Sequence, residues 1–356
     1  MAKELPTKLK SKIEGGGRRA MSLTQEGLVH VAPLMPDRGL PLLVEPAVPG
    51  SVDLIEWTRS NRSLLAAKLA EYGGILFRGF EVEGASGCER MIEAVSEQAL
   101  EYQERSSPRS NVGGHIYSST DYPADQTIFL HNENSYQETF PLKIFFLCIT
   151  PAAHGGETPI ADCRRVYERI DPAVRKRFLD EGWMYVRNFG AGFGLPWQTV
   201  FQTSDRGAVD AYCRSHGIAT EWKDGNRLCT RAVRRAAGRH PLTGELTWFN
   251  HATIFHVTTL APAVRDALLA EFSEGDLPSN SYYGSGAPIE PEVLDHLRDA
   301  YQRETVIFPW RKGDILMLDN MLAAHARQPF SGERKVVVGM AEPYSWNQIE
   351  SPGAAA

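Results

Sequence analysis

Cysteine is scarce and odd in number: Cys88, Cys148, Cys163, Cys213 and Cys229 are widely spaced and form no C-x-x-C pair. That pattern excludes a disulfide framework and a zinc ribbon and predicts reduced thiols in a cytoplasmic protein. No apolar run approaches the roughly 20 residues of a membrane span. The opening residues 1–17 are rich in Lys and Gly and lack an apolar core, so they do not read as a secretory signal. Positive charge is not in excess: 38 basic against 44 acidic residues leave a net charge of −6, and no basic field suggests nucleic acid. There is no internal repeat. The Gly-rich segment 188–197 is not a G-x-G-x-x-G between a strand and a helix, which excludes a dinucleotide loop and predicts a lid or turn instead. What remains is a 356-residue chain, 42% hydrophobic and 23% charged, long enough for one large domain or two ordinary ones.

The chain then divides into short elements. Residues 1–25 read as a flexible tail, 26–346 as one domain and 347–356 as a second tail. Residues 40–49, apolar and bracketed by prolines, predict a strand. Residues 53–72 predict a helix stopped by Gly73-Gly74, followed by a buried strand over 75–80 and a helix over 87–100. Residues 105–122 are polar and rich in Gly and Ser, a binding loop on a rigid scaffold. Strongly apolar runs at 142–149, 315–320 and 335–340 predict buried strands. Helices are expected over 164–182, 261–272 and 292–305, a turn-rich loop over 277–291, and a solvated face for Arg231, Arg234 and Arg235. Many short strands with a long central insert and no regular βαβ alternation give an α+β, mainly β chain, with a double-stranded β-helix or jelly-roll core and flanking helices.

The residues that carry chemistry centre on Phe129-Leu130-His131-Asn132-Glu133-Asn134-Ser135-Tyr136. Alternate side chains of a strand share a face. His131 and Glu133 would therefore point together, with Asn132 turned away. An imidazole and a carboxylate in this relation are two corners of a metal site. The 2-His-1-carboxylate triad of non-haem Fe(II) oxygenases has this form and leaves coordination positions open. Alone, the pair means little and reads more readily as two polar residues of a surface strand facing solvent.

Three motifs, taken in order and spacing, change that. His131-Asn132-Glu133, Gly155-Gly156-Glu157-Thr158, and Gly313-Asp314 through His325 to Arg334 make the chain resemble the TauD/TfdA family of Fe(II)- and 2-oxoglutarate-dependent oxygenases. More narrowly it resembles the SyrP-like branch found beside peptide-synthetase pathways. The resemblance spans roughly residues 40–344. It implies His131, Glu133 and His325 as catalytic iron ligands, with His154, His240, His251 and His256 the rival histidines. It implies that Arg334 holds the distal carboxylate of 2-oxoglutarate and that Thr158 donates a hydroxyl hydrogen bond to it. Glu133 stands where many members carry Asp. Halogenating relatives replace the carboxylate with a small residue, so Glu133 argues against halogenation. Val338 stands where some relatives carry a second arginine for an anionic substrate head, which argues against a taurine-like sulfonate.

The activity so implied is a hydroxylase. It would couple oxidative decarboxylation of 2-oxoglutarate by O₂ to attack on an unactivated C–H bond of an amino acid or its derivative, with desaturation or cyclisation as variants. The substrate would be free or tethered to a peptidyl carrier protein, in natural product biosynthesis. Arg109, His115, Ser119, Asn134 and Asn250 are candidate substrate contacts. Two other readings stay open: a zinc-dependent hydrolase using the same ligands, and a non-catalytic jelly-roll binding protein.

Overall fold

A computed structural model describes residues 27–96, 111–118, 122–190 and 194–350. Two facing sheets form its centre. The larger has eight strands in the order β1-β2-β3-β17-β7-β20-β5-β4. These are β1 (Val29–Pro33), β2 (Leu42–Pro46), β3 (Gly74–Phe77), β17 (Ile315–Asp319), β7 (Thr139–Thr150), β20 (Lys335–Ser345), β5 (Ile116–Ser118) and β4 (Asn111–Gly113). The smaller runs β16-β9-β18-β6, with β16 at Thr305–Val306, β9 at Ile160–Asp162, β18 at Ala323–Arg327 and β6 at Ile128–His131. All pairings in these sheets are antiparallel except the parallel contact of β2 with β3. The jelly-roll expectation holds.

The apolar runs are continuous because their strands are covered on both faces. On β7, Phe145 and Leu147 face an outer core, shared with Ile315 and Met317 of β17 and Val337 of β20. Helices α1 (Leu54–Ser60), α2 (Arg62–Tyr72) and α3 (Gly84–Val95) supply Leu54, Trp57, Leu65, Leu69, Met91 and Ile92 to that core. The alternate residues Ile144, Phe146 and Cys148 turn inward to meet Leu316, Leu318, Val336, Val338 and Ile160 between the two sheets. Period-two alternation thus carries two cores on one strand.

The helix expected over 53–72 is two helices. Asp53 caps the first through Ile55 and Glu56 N–H. Asn61, outside helical geometry, separates it from the second, which ends at Gly73 with φ +74°. Likewise the helix expected over 164–182 breaks at Ile170 and Asp171 into α4 (Cys163–Arg169) and α5 (Pro172–Glu181). The 105–122 segment, within its described part, is a hairpin of β4 and β5 on the sheet edge.

The insert lies between β9 and β16. It holds a four-stranded sheet, β11-β12-β10-β15: β10 (Trp183–Phe189), β11 (Ile218–Lys223), β12 (Arg227–Arg234) and β15 (Ser279–Tyr283). It also holds α6 (Trp197–Phe201), α7 (Arg206–Ser215) and α8 (Pro262–Glu271), and the pair β13 (Ala237–Arg239) with β14 (Leu246–Trp248). Helix α9 (Pro291–Arg303) leads back to β16. The segment 277–291 is therefore not all loop. β15 forms there because Asn280, Ser281 and Tyr283 are buried against β10 despite their polarity. Arg231 does lie on an exposed face with Glu221. Arg235 is exposed as expected, although it also donates to the carbonyl of Ile349; Arg234 is half-buried and donates to the carbonyl of Tyr136. Past residue 346 the chain still packs: Trp346–Gln348 is a 3-10 turn, and Ile349 is buried with Phe140, Phe249 and Met321.

Candidate metal centre

Strands β6 and β18 set the site. Their antiparallel register makes His325 the direct partner of His131. Cross-strand partners lie on one face of a sheet with Cβ atoms roughly 5 Å apart, and the two rings sit 4.3 Å apart, centroid to centroid. Glu133 reaches them by a different route from the one expected. β6 ends at His131, and Glu133 lies in the following turn, where Asn134 takes φ 55°. The His-x-Glu side chains still converge, while Asn132 turns away and donates to the carbonyl of Asn320 and to Cys163 Sγ. One ligand atom from each of His131, Glu133 and His325 lies within 4.8 Å of the other two, and no other such cluster occurs among the described residues. Glu133 Oε2 is 3.7 Å from His325 Nε2.

The supporting contacts are specific. His131 Nδ1 lies 2.8 Å from the carbonyl of Phe129. A carbonyl only accepts, so Nδ1 carries the proton and the Nε2 lone pair is available to a metal. Phe146 stands 5.0 Å from the His325 ring. The backbone of Glu133 is held at both ends by Asn320: the Glu133 N–H donates to Asn320 Oδ1 at 2.8 Å, and Asn320 Nδ2 donates to the Glu133 carbonyl at 2.8 Å. Nothing in the sequence around Asn320 marked this role.

Beside the cluster lies a cavity lined by Ile128, His131, Thr158, His325, Arg327 and Arg334. Arg334 donates from Nε to the Gly156 carbonyl at 2.8 Å. Burial, and then the neighbouring Arg327, push its guanidinium down to about 10; it is still a cation at neutral pH. An anion in the cavity would relieve both penalties. Gly156 makes room for it. With φ +73°, a Cβ there would lie 2.9 Å from Arg334 Cδ and 3.0 Å from Nε. Thr158 Oγ1 accepts from Trp310 Nε1 at 3.1 Å. Because an indole N–H can only donate, the threonine's own proton is left to donate elsewhere. Arg327, which no motif marks, donates to the carbonyls of Tyr122, Pro123 and Gln126 and fixes the adjoining loop.

The other expected residues divide. His240 pairs with Asp319 away from the cluster, Nε2 to Oδ2 2.9 Å. His154 is exposed in a two-residue strand, β8 (His154–Gly155), paired with β19 (Phe330–Ser331). His256 caps a 3-10 turn through Thr258 N–H, and burial pushes it down to about 4. His251 does reach the site. It stands 5.6 Å from His131, ring to ring, with Nδ1 2.6 Å from Ser135 Oγ, and burial holds its pKa well below the ordinary range. Asn134 is buried in the Glu133 turn. Asn250 spends its amide on Ala236 O and Ala252 N–H and is a structural cap. His115 sits in the turn between β4 and β5. Arg109 and Ser119 lie outside the described residues. Asp314 is not a ligand; it forms a buried pair with Arg78, Nη2 to Oδ2 2.6 Å. A wider open cleft of about 890 Å³ beside α5 and β12 lies away from the cluster. Its arginines 175, 234 and 235 are held by backbone carbonyls.

The donor set is two imidazoles and one carboxylate, close enough to share one ion. That chemistry fits Fe(II) with room for further ligands.

Comparison places this geometry in a family. The model of the taurine catabolism dioxygenase TauD, TfdA family matches residues 32–340. The chain belongs to that family and is an oxygenase. Within it, the chain is 42% identical over 286 residues to the dapdiamide synthesis protein DdaC of Enterobacter agglomerans, covering 80% of this chain and 87% of that protein. It is 28% identical over 292 residues to a clavaminate synthase-like protein of Arabidopsis thaliana, covering 79% and 85%. Among solved structures, PvcB of Pseudomonas aeruginosa shares the fold with a TM-score of 0.54 at 15% identity, covering 91% of this chain and 94% of that one. Among the described residues, no helix is long and apolar enough to cross a membrane.

Proposed function

We propose that the protein is an Fe(II)/2-oxoglutarate-dependent hydroxylase of an amino acid or amino-acid-derived intermediate, free or carried on a peptidyl carrier protein, in the synthesis of a natural product. Fe(II), 2-oxoglutarate and O₂ are its cofactors. The observation that carries the reading is the convergence of His131, Glu133 and His325 beside the cavity that holds Arg334 and Thr158. His131, Glu133 and His325 would hold the iron, which with 2-oxoglutarate and O₂ supplies the oxidation of an unactivated C–H bond.

The chain supplies position and exclusion. The Arg334 fork is matched to a carboxylate, and the Thr158 hydroxyl adds a second donor to the same group. Phe146, Val336 and Val338 give the cavity an apolar wall. Support for an amino-acid-like substrate comes from the 42% relative, a dapdiamide synthesis protein. A zinc hydrolase would give Arg334 and Thr158 no task.

The test is anaerobic spectroscopy followed by turnover. Fe(II) plus 2-oxoglutarate is expected to give a visible metal-to-ligand charge-transfer band; a colourless mixture at saturating iron would count against the reading. With O₂ and a panel of amino acids, succinate formed together with an oxygen-mass gain identifies a hydroxylase. A loss of two hydrogens identifies a desaturase or cyclase.

A further inference from the structure

A run of rings leads out of the site. His131 meets His251, His251 lies 4.6 Å from Phe255, and Phe255 stacks on Tyr185 at 4.1 Å and 19°. Tyr136 closes the side of this run against His251, Phe255 and Tyr185. At its far end stands Arg187. On β10, residues 185, 187 and 189 share one face, and the Arg187 guanidinium lies 5.7 Å over the Tyr185 ring and 4.7 Å over Phe189.

The surroundings of Arg187 suit an anion. Its register partners on the two flanking strands are Thr230 and Ser279, so a hydroxyl side chain stands on either side on the same face. Among the described residues no carboxylate pairs with Arg187. Asp210, the acid turned to this face from α7, is occupied by Thr220 and Trp222. The arginines of the neighbouring strand β12 are held: Arg227 by the Asp224 carbonyl, Arg231 by Glu221 and Arg234 by backbone carbonyls. Arg187 is half-buried, partly desolvated between two aromatic rings, and flanked by two further donors. Val338, which lines the cavity beside the metal cluster, offers no charge to an anion there.

We propose that Arg187, with Thr230 and Ser279, takes a free carboxylate of the substrate while the ring series from Tyr185 to His251 carries its body to the metal. The proposal rests on the hydroxylase reading and sharpens it. A planar fork flanked by two hydroxyls matches a carboxylate in charge and shape. An acyl thioester on a carrier protein offers no such group at that carbon, so the substrate is a free acid.

The experiment measures succinate release with Fe(II), 2-oxoglutarate and O₂. The panel holds L-amino acids and their N-acyl forms, the corresponding primary amides, and the same amino acids loaded as thioesters on a carrier domain. Activation is expected from free acids, with each amide at least tenfold weaker. Arg187→Gln should raise the half-saturating concentration of the best acid roughly ten- to a hundred-fold, with a smaller effect on the saturated rate, and Arg187→Lys should recover part of the loss. Activation confined to thioesters or amides, no activation by any free acid, or unchanged half-saturation in Arg187→Gln overturns the proposal.

The anaerobic charge-transfer band separates the two readings. If wild type lacks the band, the cofactor reading has failed. If the band is present in both proteins without acid discrimination, only the assignment of Arg187 has failed. Should Arg187→Gln lose the band through misfolding, Arg187→Lys decides: the band with wild-type half-saturation for the acid overturns the proposal.

Discussion

Asn320 grips Glu133 by its backbone, accepting from its N–H and donating to its carbonyl at 2.8 Å each. A third bond, from Asn320 Nδ2 to Pro141 O, ties the same amide to β7. The carboxylate that completes the cluster therefore owes its position to a residue at the end of β17, distant in sequence. Asn320→Ala is expected to weaken iron binding roughly ten- to a hundred-fold, the usual cost of losing a partner that orients a ligand. Iron titration monitored by the charge-transfer band checks this, with circular dichroism to confirm the fold. Unchanged iron affinity would mean the turn holds Glu133 unaided.

Arg334→Ala should raise the 2-oxoglutarate requirement. Deleting a charge-assisted contact costs about 1.5–3 kcal/mol, roughly ten- to a hundred-fold in affinity. Unchanged 2-oxoglutarate affinity would show that another residue is the anchor.

Gly156→Ala should mimic part of that loss without touching the arginine. The added methyl meets Arg334 Cδ, Arg334 Nε and Phe330 Cβ at 2.9–3.0 Å, on a backbone with φ +73° that disfavours a side chain. The expected result is a raised KM for 2-oxoglutarate with iron affinity retained. Equal loss of both would point to general unfolding of the loop.

Asp314→Asn should act on stability alone. The carboxylate takes Nε and Nη2 of Arg78 and the N–H of Arg311, almost fully buried. Neutralising it leaves Arg78 a buried, unmatched cation, at a cost of about 3–5 kcal/mol. Denaturant unfolding measures the loss; iron and 2-oxoglutarate affinities in the remaining folded protein should be those of wild type.

The five cysteines are free and buried. Burial pushes the thiols of Cys88, Cys148 and Cys163 up to about 12 from an ordinary 9.0. The native protein should therefore show no fast-reacting thiol toward a disulfide reagent at pH 8, and five after denaturation. The linked effect on stability has a definite sign. Folded thiols keep protons that unfolded ones release, so the contribution is whole below pH 9 and is lost as pH climbs toward 12. Rapid labelling of the native protein would refute the burial.

How much of this was legible follows from where the constraint lies. The strands at β7, β17 and β20 announced themselves because residues such as Phe145 and Phe146 must both be apolar when the two faces of one strand meet different cores. His131 and His325 were legible by type and order. The route by which Glu133 reaches them was not, since a two-residue spacing satisfies a strand and this turn alike. Gly156 was legible only as part of its motif, with no role of its own, and Asn320 and the proposed contact Arg187 were not marked at all. Each acts on residues far along the chain, and nothing local distinguishes an asparagine that clamps a backbone from one that caps a turn. β15 was missed because its polar residues are buried only by tertiary contact with β10.

One feature of topology reaches further than the site. The insert leaves the core after β9 and returns at β16, and those strands pair, with Thr305 opposite Ala161. Departure and return are adjacent, and the entropy of closing such a loop grows only slowly with its length, by about 0.6 kcal/mol per doubling, so the core tolerates inserts of different size. His131, Glu133, Thr158, His325 and Arg334 all lie outside the insert; Arg187 and His251 lie within it. The proposed metal ligands and the proposed carboxylate contact are therefore encoded in different stretches of chain, and an insert exchanged with a relative's between residues 162 and 305 is expected to change substrate choice while leaving His131, Glu133 and His325 in place.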